Sequence, residues 1–351
     1  MFVNRHDFKT VFIIGAGATR GALPHVVVNR KRVRPPLNGD FFRVAQTYAR
    51  AMGKESIDAR RVERLLRVFK SEIPYRGEPT MEEAFSLLYV AKDFPDIYRA
   101  RFGRKRKTGY QREIEDFLKL TFAILLTIAR EPDRKTGYDR LVSKLGSNDT
   151  VITLNYDTLL DSALCRYGWD PKLGYGLRGG KRKVIWDLRR VNDPSDAARV
   201  KLLKLHGSVN WYVRGSYSNL SRVFSSKPVV VSGPRQNEIR EHIRQIIPPI
   251  YGKVFEHEHW RSLWTKAYKE LCSAEVLVVI GCSLIDTDFH LRALISRVVR
   301  HRKAAIELLK QAILVAGTKA RRKWERALKG SYRKVKGYPS LDQFLTKELR
   351  T

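Results

Sequence analysis

Cysteine is scarce in this chain. Cys165, Cys272 and Cys282 are the three present in 351 residues, and none stands in a CxxC pair. Three cysteines cannot build a disulfide framework, so a reducing, cytoplasmic setting is expected. The same count excludes a structural zinc site of four cysteines. Long apolar runs are missing too: none reaches the roughly 18 residues of a membrane span. The opening stretch MFVNRHDFKT lacks the apolar core of a secretory signal. Acid is the third shortage. Asp plus Glu number 36 against 68 Lys plus Arg, a formal net charge of +32. Such a charge implies contact with nucleic acid, acidic proteins or anionic ligands. A basic host proteome, or the charged surface of a thermophile, accounts for it as well.

What is present suffices for a large core. Hydrophobic residues make up 43% of the chain, enough to fold without disulfides. Val11 to Ile14 reads as a buried strand ending in the glycine turn Gly15-Ala16-Gly17. A basic loop, VVVNRKRVRPPLNGD, follows. From about Ile57 to Arg130, apolar residues recur at three- and four-residue spacing, which predicts a helical layer or insertion, bounded at 56–132. DTVITLNYD returns to strand, and Asp161 to Tyr167 reads as a short helix. KVIWDL and VKLLKLHG read as strands. Gly-, Ser- and Asn-rich loops are expected from there to about Gly233, and IIPPIYGK as a proline-stiffened loop. EHWRSLWTKAYKELCS predicts an amphipathic helix, AEVLVVIG a buried strand, and DTDFHLRALISRVVRHR a helix with an acidic first turn. QAILVAG, a basic helix around Lys323 and LDQFLTKEL finish the chain. Basic residues are densest in RARFGRKRKTGYQR and from Arg292 to Lys336. Alternating strands and helices predict an α/β fold: a Rossmann-like, mainly parallel sheet with helices on both faces. No linker is evident, so residues 1–351 are expected to form a single domain.

Four strand ends carry the chemistry. In an open parallel sheet, ligands bind beyond the carboxyl ends of the strands. Gly15, Gly17 and Gly21 follow the first strand, where glycines and a helix N-terminus let backbone amides approach a diphosphate. The spacing is G-x-G-x-x-x-G, not that of dehydrogenases, and no acidic residue marks the end of a second strand. Asp40 comes later, in a loop. Asn155 and Asp157 follow the second such end. Extended backbone points both the same way, although on this stretch alone a helix cap at Asp157 and a turn at Asn155 are the favoured explanation. His206 follows VKLLKL and precedes Gly207, a placement open to a general base. Gly281-Cys282-Ser283 gives a fourth end, small enough for contact with phosphate or ribose. Asp286 and Asp288 read as helix-start residues.

Taken in order, GAGAT, TLNYD, LHGS and GCS resemble the sirtuin family, with its GAG-x-S/T phosphate loop, T-x-N-x-D motif, catalytic His before Gly and late G-x-S turn. The resemblance runs from Ile14 to Ser283. Sirtuin deacylases also carry a four-cysteine zinc module, which is absent here, and an Ile-Pro-Asp-Phe-Arg segment where this chain has LPHVVVNR. PPLNGDFF, LLKLHGSVNW and IIPPIYGK are instead similar to segments of the prokaryotic, zinc-less, sirtuin-like NAD-consuming proteins of antiphage defence.

That resemblance implies NAD as substrate, with no zinc. Gly15, Ala16, Gly17 and Thr19 would cradle the diphosphate. Gly281 and Ser283 would bind the adenosine side. Asn155 would hold the nicotinamide ribose or a water, Asp157 would orient ribose or nicotinamide groups, and His206 would be the base. The expected reaction is hydrolysis of NAD to nicotinamide and ADP-ribose, the toxic step of abortive infection. It implies a gate set by homo-oligomer assembly, a phage signal, or a translocase-, helicase- or Argonaute-like partner. Three other readings compete. One is a non-catalytic NAD or ADP-ribose scaffold or sensor. Another is a deacylase, which the missing zinc cysteines oppose. The third is a basic nucleic-acid-binding protein with a vestigial nucleotide site.

Overall fold

The computed structural model describes residues 8–71, 77–94, 110–129, 135–175, 199–214, 229–230, 242–250 and 258–348. KVIWDL and most of RARFGRKRKTGYQR lie outside the described residues. The chain runs through β1 (Thr10–Ile14), α1 (Ala16–Ala22), β2 (Val26–Val28), β3 (Lys31–Val33), α2 (Phe41–Met52) and α3 (Ile57–Ser71). Next come α4 (Met81–Asp93), α5 (Gln111–Ala129), α6 (Gly137–Val142), β4 (Thr150–Thr153), α7 (Leu159–Arg166) and α8 (Pro171–Gly174). β5 (Lys201–Lys204), β6 (Gly207–Arg214), β7 (Val229–Val230), β8 (His242–Ile246) and α9 (Glu258–Ser273) follow. β9 (Val276–Ile280), α10 (Phe289–Ala305), β10 (Gln311–Val315), α11 (Thr318–Ala327), β11 (Val335–Tyr338) and α12 (Leu341–Glu348) complete it.

Six strands form one sheet in the order β11-β10-β9-β1-β4-β5, and every neighbouring pair is parallel. β1, β4 and β9 are buried at every position. That is what a parallel sheet covered on both faces demands, and it explains their unbroken Val/Ile/Leu runs. From β1 the chain steps to β4 and β5, then returns to β9 and steps the other way. Right-handed crossovers place the two sets of helices on opposite faces. α1, α6 and α12 pack together on one face, and α9 packs on α10 on the other. The reversal of strand order between β1 and β9 is a switch point, the place where such sheets open a crevice.

The layer over that crevice is helical. α3, α4 and α5 fall within the expected segment. α2, which the sequence reading passes over, precedes them and packs on α3 and α5. Their core is aromatic: Phe85 stacks on Phe117 at 3.9 Å, with Phe41 and Phe42 at 5.1 Å and 5.4 Å from the same ring.

Three expectations need correction. Residues 26–33 form a β-hairpin rather than a loop. Asn29 and Arg30 take positive φ (45° and 64°), the backbone of a two-residue I′ turn, which Asn tolerates. The stretch after His206 is a strand, not a loop. β6 joins β7 and β8 in an antiparallel sheet, where Ser208 Oγ donates to Tyr156 O at 3.3 Å and Asn210 Nδ2 to Tyr175 OH at 3.0 Å. The acidic DTD run precedes α10 instead of forming its first turn. Asp288 is the N-cap, accepting Leu291 N–H at 3.2 Å. β11, an edge strand, carries no apolar run and escaped the sequence reading.

Candidate functional site

The two glycine turns are packed on each other. Gly15 N–H donates to Ile280 O at 3.0 Å, and Gly17 N–H to Gly281 O at 2.9 Å. A Cβ on Gly15 would stand 2.7 Å from Gly281 O. Gly281 has φ +59°, and a Cβ there would meet Ala18 N at 2.0 Å. The glycines thus let β1 and β9 end in direct contact. Trp324 of α11 fixes the second turn, Nε1 donating to Cys282 O at 2.8 Å. Leu284 follows in the left-handed region at φ 47°, an observed strain of the kind found at ligand sites. Burial raises the Cys282 thiol to about 12, so it stays protonated and unreactive.

The T-L-N-Y-D end converges on Thr19, which is 3% exposed. The Thr19 hydroxyl donates to Asp157 Oδ2 at 2.9 Å, accepts from Asn155 Nδ2 at 2.9 Å and meets Tyr138 OH at 3.1 Å. One donor and two acceptor sites are then filled, so this hydroxyl organises Asn155 and Asp157. Asn155 Nδ2 also donates to Gly15 O at 3.1 Å. A carbonyl can only accept, so the amide orientation is fixed. Both amide hydrogens are used inside the protein, and Asn155 offers a ligand its carbonyl oxygen. Asp157 Oδ1 accepts Leu159 N–H at 3.1 Å. The helix-start role and the pocket role therefore coexist. Burial raises the Asp157 carboxyl, opposed by Lys204, Leu159 N–H and Thr19.

Lys204 is the residue that sequence reasoning missed behind this wall. It is fully buried. Its ammonium donates to Asp157 O at 2.6 Å and to Asp161 Oδ2 at 3.0 Å. A lysine inside the apolar run KLLK was the available signal, because a buried ammonium needs a carboxylate. His206 is 5% exposed, and its Nε2 lies 3.6 Å from Asp288 Oδ2. Its carbonyl accepts Ile247 N–H at 2.8 Å, and Tyr156 OH donates to Ile247 O at 2.8 Å. The IIPPI segment thus holds both the His206 and Tyr156 ends.

These strand ends open on one cavity of about 730 Å³, lined by Gly15, Ala16, Gly17, Thr19, Asn155, Asp157, His206, Gly281 and Ser283. Every expected site residue is brought together. Ser283 is exposed at the rim. The lining also includes Asp288, and Glu82 and Thr121 from the helical layer. Nothing in the sequence tied those three to the strand ends, since the contact is tertiary. The PPLNG loop lies along the same cavity. It is pinned where Arg20 donates to Pro35 O at 2.8 Å and to Asp40 Oδ1 at 2.8 Å. Asp40, the acid without a ribose-binding position, serves that pin. Among the described residues no group of three His, Cys, Asp or Glu is placed to hold a metal ion. No helix among them is long and apolar enough to cross a membrane.

A family model described as a SIR2-like domain matches residues 149–333, more than half of the chain. The chain belongs to the SIR2-like family. None of the curated proteins matches it. Among solved structures, a Sir2 homologue–NAD complex is 11% identical, with 99% of this chain and 90% of that one covered and a TM-score of 0.38. A Sir2 homologue mutant bound to ADP ribose is 12% identical, with 99% and 93% covered and a TM-score of 0.40. In this SIR2-like domain the matched segment takes in Asn155, Asp157, His206 and Gly281, while the first glycine turn lies before it.

Proposed function

We propose that this SIR2-like protein hydrolyses NAD to nicotinamide and ADP-ribose. The observation that carries the reading is the single cavity at the switch point, in which Asn155 and His206 meet the two glycine turns. The bond from ribose C1′ to the nicotinamide nitrogen breaks, its electron pair leaving with neutral nicotinamide. Water forms the new bond to C1′, and its proton passes to His206. The cationic leaving group is already activated, so the protein's task is positioning. The Asn155 carbonyl oxygen accepts from a ribose hydroxyl or from the water. Asp288, 3.6 Å from His206 Nε2, favours the imidazolium that forms. The diphosphate lies against Gly15, Ala16 and Gly17 near Arg20, and the adenosine side against Gly281 and Ser283.

The reading extends to a cytoplasmic NAD-depleting effector of antiphage defence, formed by residues 1–351 as one unit with 56–132 as its helical part. The segments PPLNGDFF, LLKLHGSVNW and IIPPIYGK support it. Activity is gated through a homo-oligomer or through nucleic acid, met on the basic surface or carried by a translocase-, helicase- or Argonaute-like partner.

The test is NAD turnover by purified protein, with nicotinamide and ADP-ribose quantified, alone and with DNA or host lysate. Wild type should release both in equal amounts. Asn155→Ala and His206→Ala should each fall by about 10²–10⁴-fold. If NAD binds but survives every condition, the protein is an NAD-binding scaffold instead.

A further inference from the structure

The cavity is acidic in a chain of net charge +32. Glu82, Asp157 and Asp288 line it, each at most 5% exposed. Arg20, held by Asp40, is the one Lys or Arg among its described lining residues. Glu82 is the carboxylate that the strand ends do not supply. It sits in the first turn of α4, where its N–H donates to Asn38 Oδ1 at 3.0 Å. Its Oε2 accepts the hydroxyl of Thr287, the neighbour of Asp288. Burial chiefly, then Glu82 and Asp288, hold the Tyr156 hydroxyl well above its ordinary range. The two carboxylates therefore bear on the same end of the cavity, beside Tyr156 and His206. The helical layer offers this cavity a second polar group. The buried Thr121 hydroxyl of α5 has no hydrogen-bond partner among the described residues, an arrangement that points to a ligand.

We propose that Glu82 is a specificity-determining residue: with Asp288 it makes the cavity select the cationic, oxidised nicotinamide ring over the neutral reduced one. The inference rests on the NAD reading of this site. A positive ring between two buried carboxylates is stabilised, and so is the oxocarbenium-like charge that follows it on the ribose. The reduced ring gains nothing from either. Because Glu82 stands on α4, substrate selection depends on the helical layer being seated.

Equilibrium binding separates this from catalysis. The probes are carba-NAD, which keeps the pyridinium charge but resists hydrolysis, NADH, and ADP-ribose, which lacks the ring. Wild type should prefer carba-NAD to NADH by about tenfold or more, from the one ring charge that distinguishes them, at an effective dielectric near 20. Glu82→Gln should lose most of that preference and keep its affinity for ADP-ribose. Thr287→Val, which removes the hydroxyl but not the carboxylate, should keep the preference. An unchanged ratio in Glu82→Gln overturns the proposal and leaves the NAD site standing. So does an equal loss of all three ligands in both variants, which would make Glu82 a structural tie. If wild type binds none of the three, the NAD reading itself fails, and this inference with it.

Discussion

Along α10 there are five cations, Arg292, Arg297, Arg300, Arg302 and Lys303, and no acid. In the cavity beside its first turn, three carboxylates face one arginine. The next helix outward, α11, repeats the pattern with Lys319, Arg321, Arg322, Lys323 and Arg326 against Glu325. β9, β10 and β11 step in one direction, so right-handed crossovers set α10 and α11 on the same face. Lys303 packs on Gly330 just past α11. The two regions teach different things about charge. On the outer face Arg297, Arg300, Lys303, Arg322 and Arg326 are exposed to water, where charge is screened within about 10 Å. A charge of this kind acts on diffusional encounter more than on local chemistry. In the cavity, carboxylates that are few but buried act in a low dielectric. The sign of the whole chain therefore says nothing about the sign at the reacting centre.

Two cations break this division and so sharpen it. Arg302 is 2% exposed and donates to Leu271 O at 2.7 Å and Glu307 O at 2.8 Å, closing the end of α9. Lys204 stands directly behind the acidic wall. Its replacement is the largest effect expected of the comparison. Lys204→Met leaves Asp161 buried without its ion pair and frees the Asp157 carbonyl, costing about 3–5 kcal/mol. Urea unfolding should show it, and Lys204→Met with Asp161→Leu should recover much of the loss. A neutral single variant would mean that Asp161 does not need its cation. The acid wall would then be held by Thr19 and backbone alone.

How much of this was legible depended on whether the signal was local. β1, β4, β5 and β9 announce themselves because buried parallel strands read as apolar runs, and each ends in small or polar residues that line the cavity. The residues that those ends bring to one cavity are therefore legible in the sequence by number. Glu82 and Thr121 are not, since their place in the cavity arises from α4 and α5 packing over strands far away in the chain. Asp288 looked like an ordinary cap, and it is one. Its nearness to His206 exists only after β5 and β9 join one sheet. β6 was misread because Ser208 and Asn210 look like loop residues, and their burial becomes affordable only through Tyr156 and Tyr175.

A smaller effect is expected on the outer face. Arg297, Arg300, Arg322 and Arg326 are exposed, and none lines the cavity. Reversing all four to Glu should weaken binding to duplex DNA and lower the slope of log affinity against log salt by about 1 per lost phosphate contact. NAD turnover by the protein alone should be unchanged. A full salt slope in that variant would move the nucleic-acid contact to another basic segment and dissolve the outer half of the comparison. A loss of turnover would show that the two regions are coupled.

The smallest effect lies within the acid wall. Burial raises the Asp157 carboxyl in the folded protein, with Lys204, Leu159 N–H and Thr19 pulling the other way. A carboxyl raised on folding binds more protons folded than unfolded, so its contribution to stability falls as pH rises between the unfolded and the folded pKa. Asp157→Asn removes that titration and keeps an acceptor for Leu159 N–H. The melting temperature of wild type relative to Asp157→Asn should therefore improve as pH is lowered from 7 towards 4. The opposite trend, wild type losing ground on acidification, would mean that Lys204 dominates and Asp157 is a permanent negative charge. Either trend bears on the cavity. A carboxyl poised to take a proton lets acid weaken the wall's pull on a cationic ring, whereas one held ionised by Lys204 keeps that pull constant.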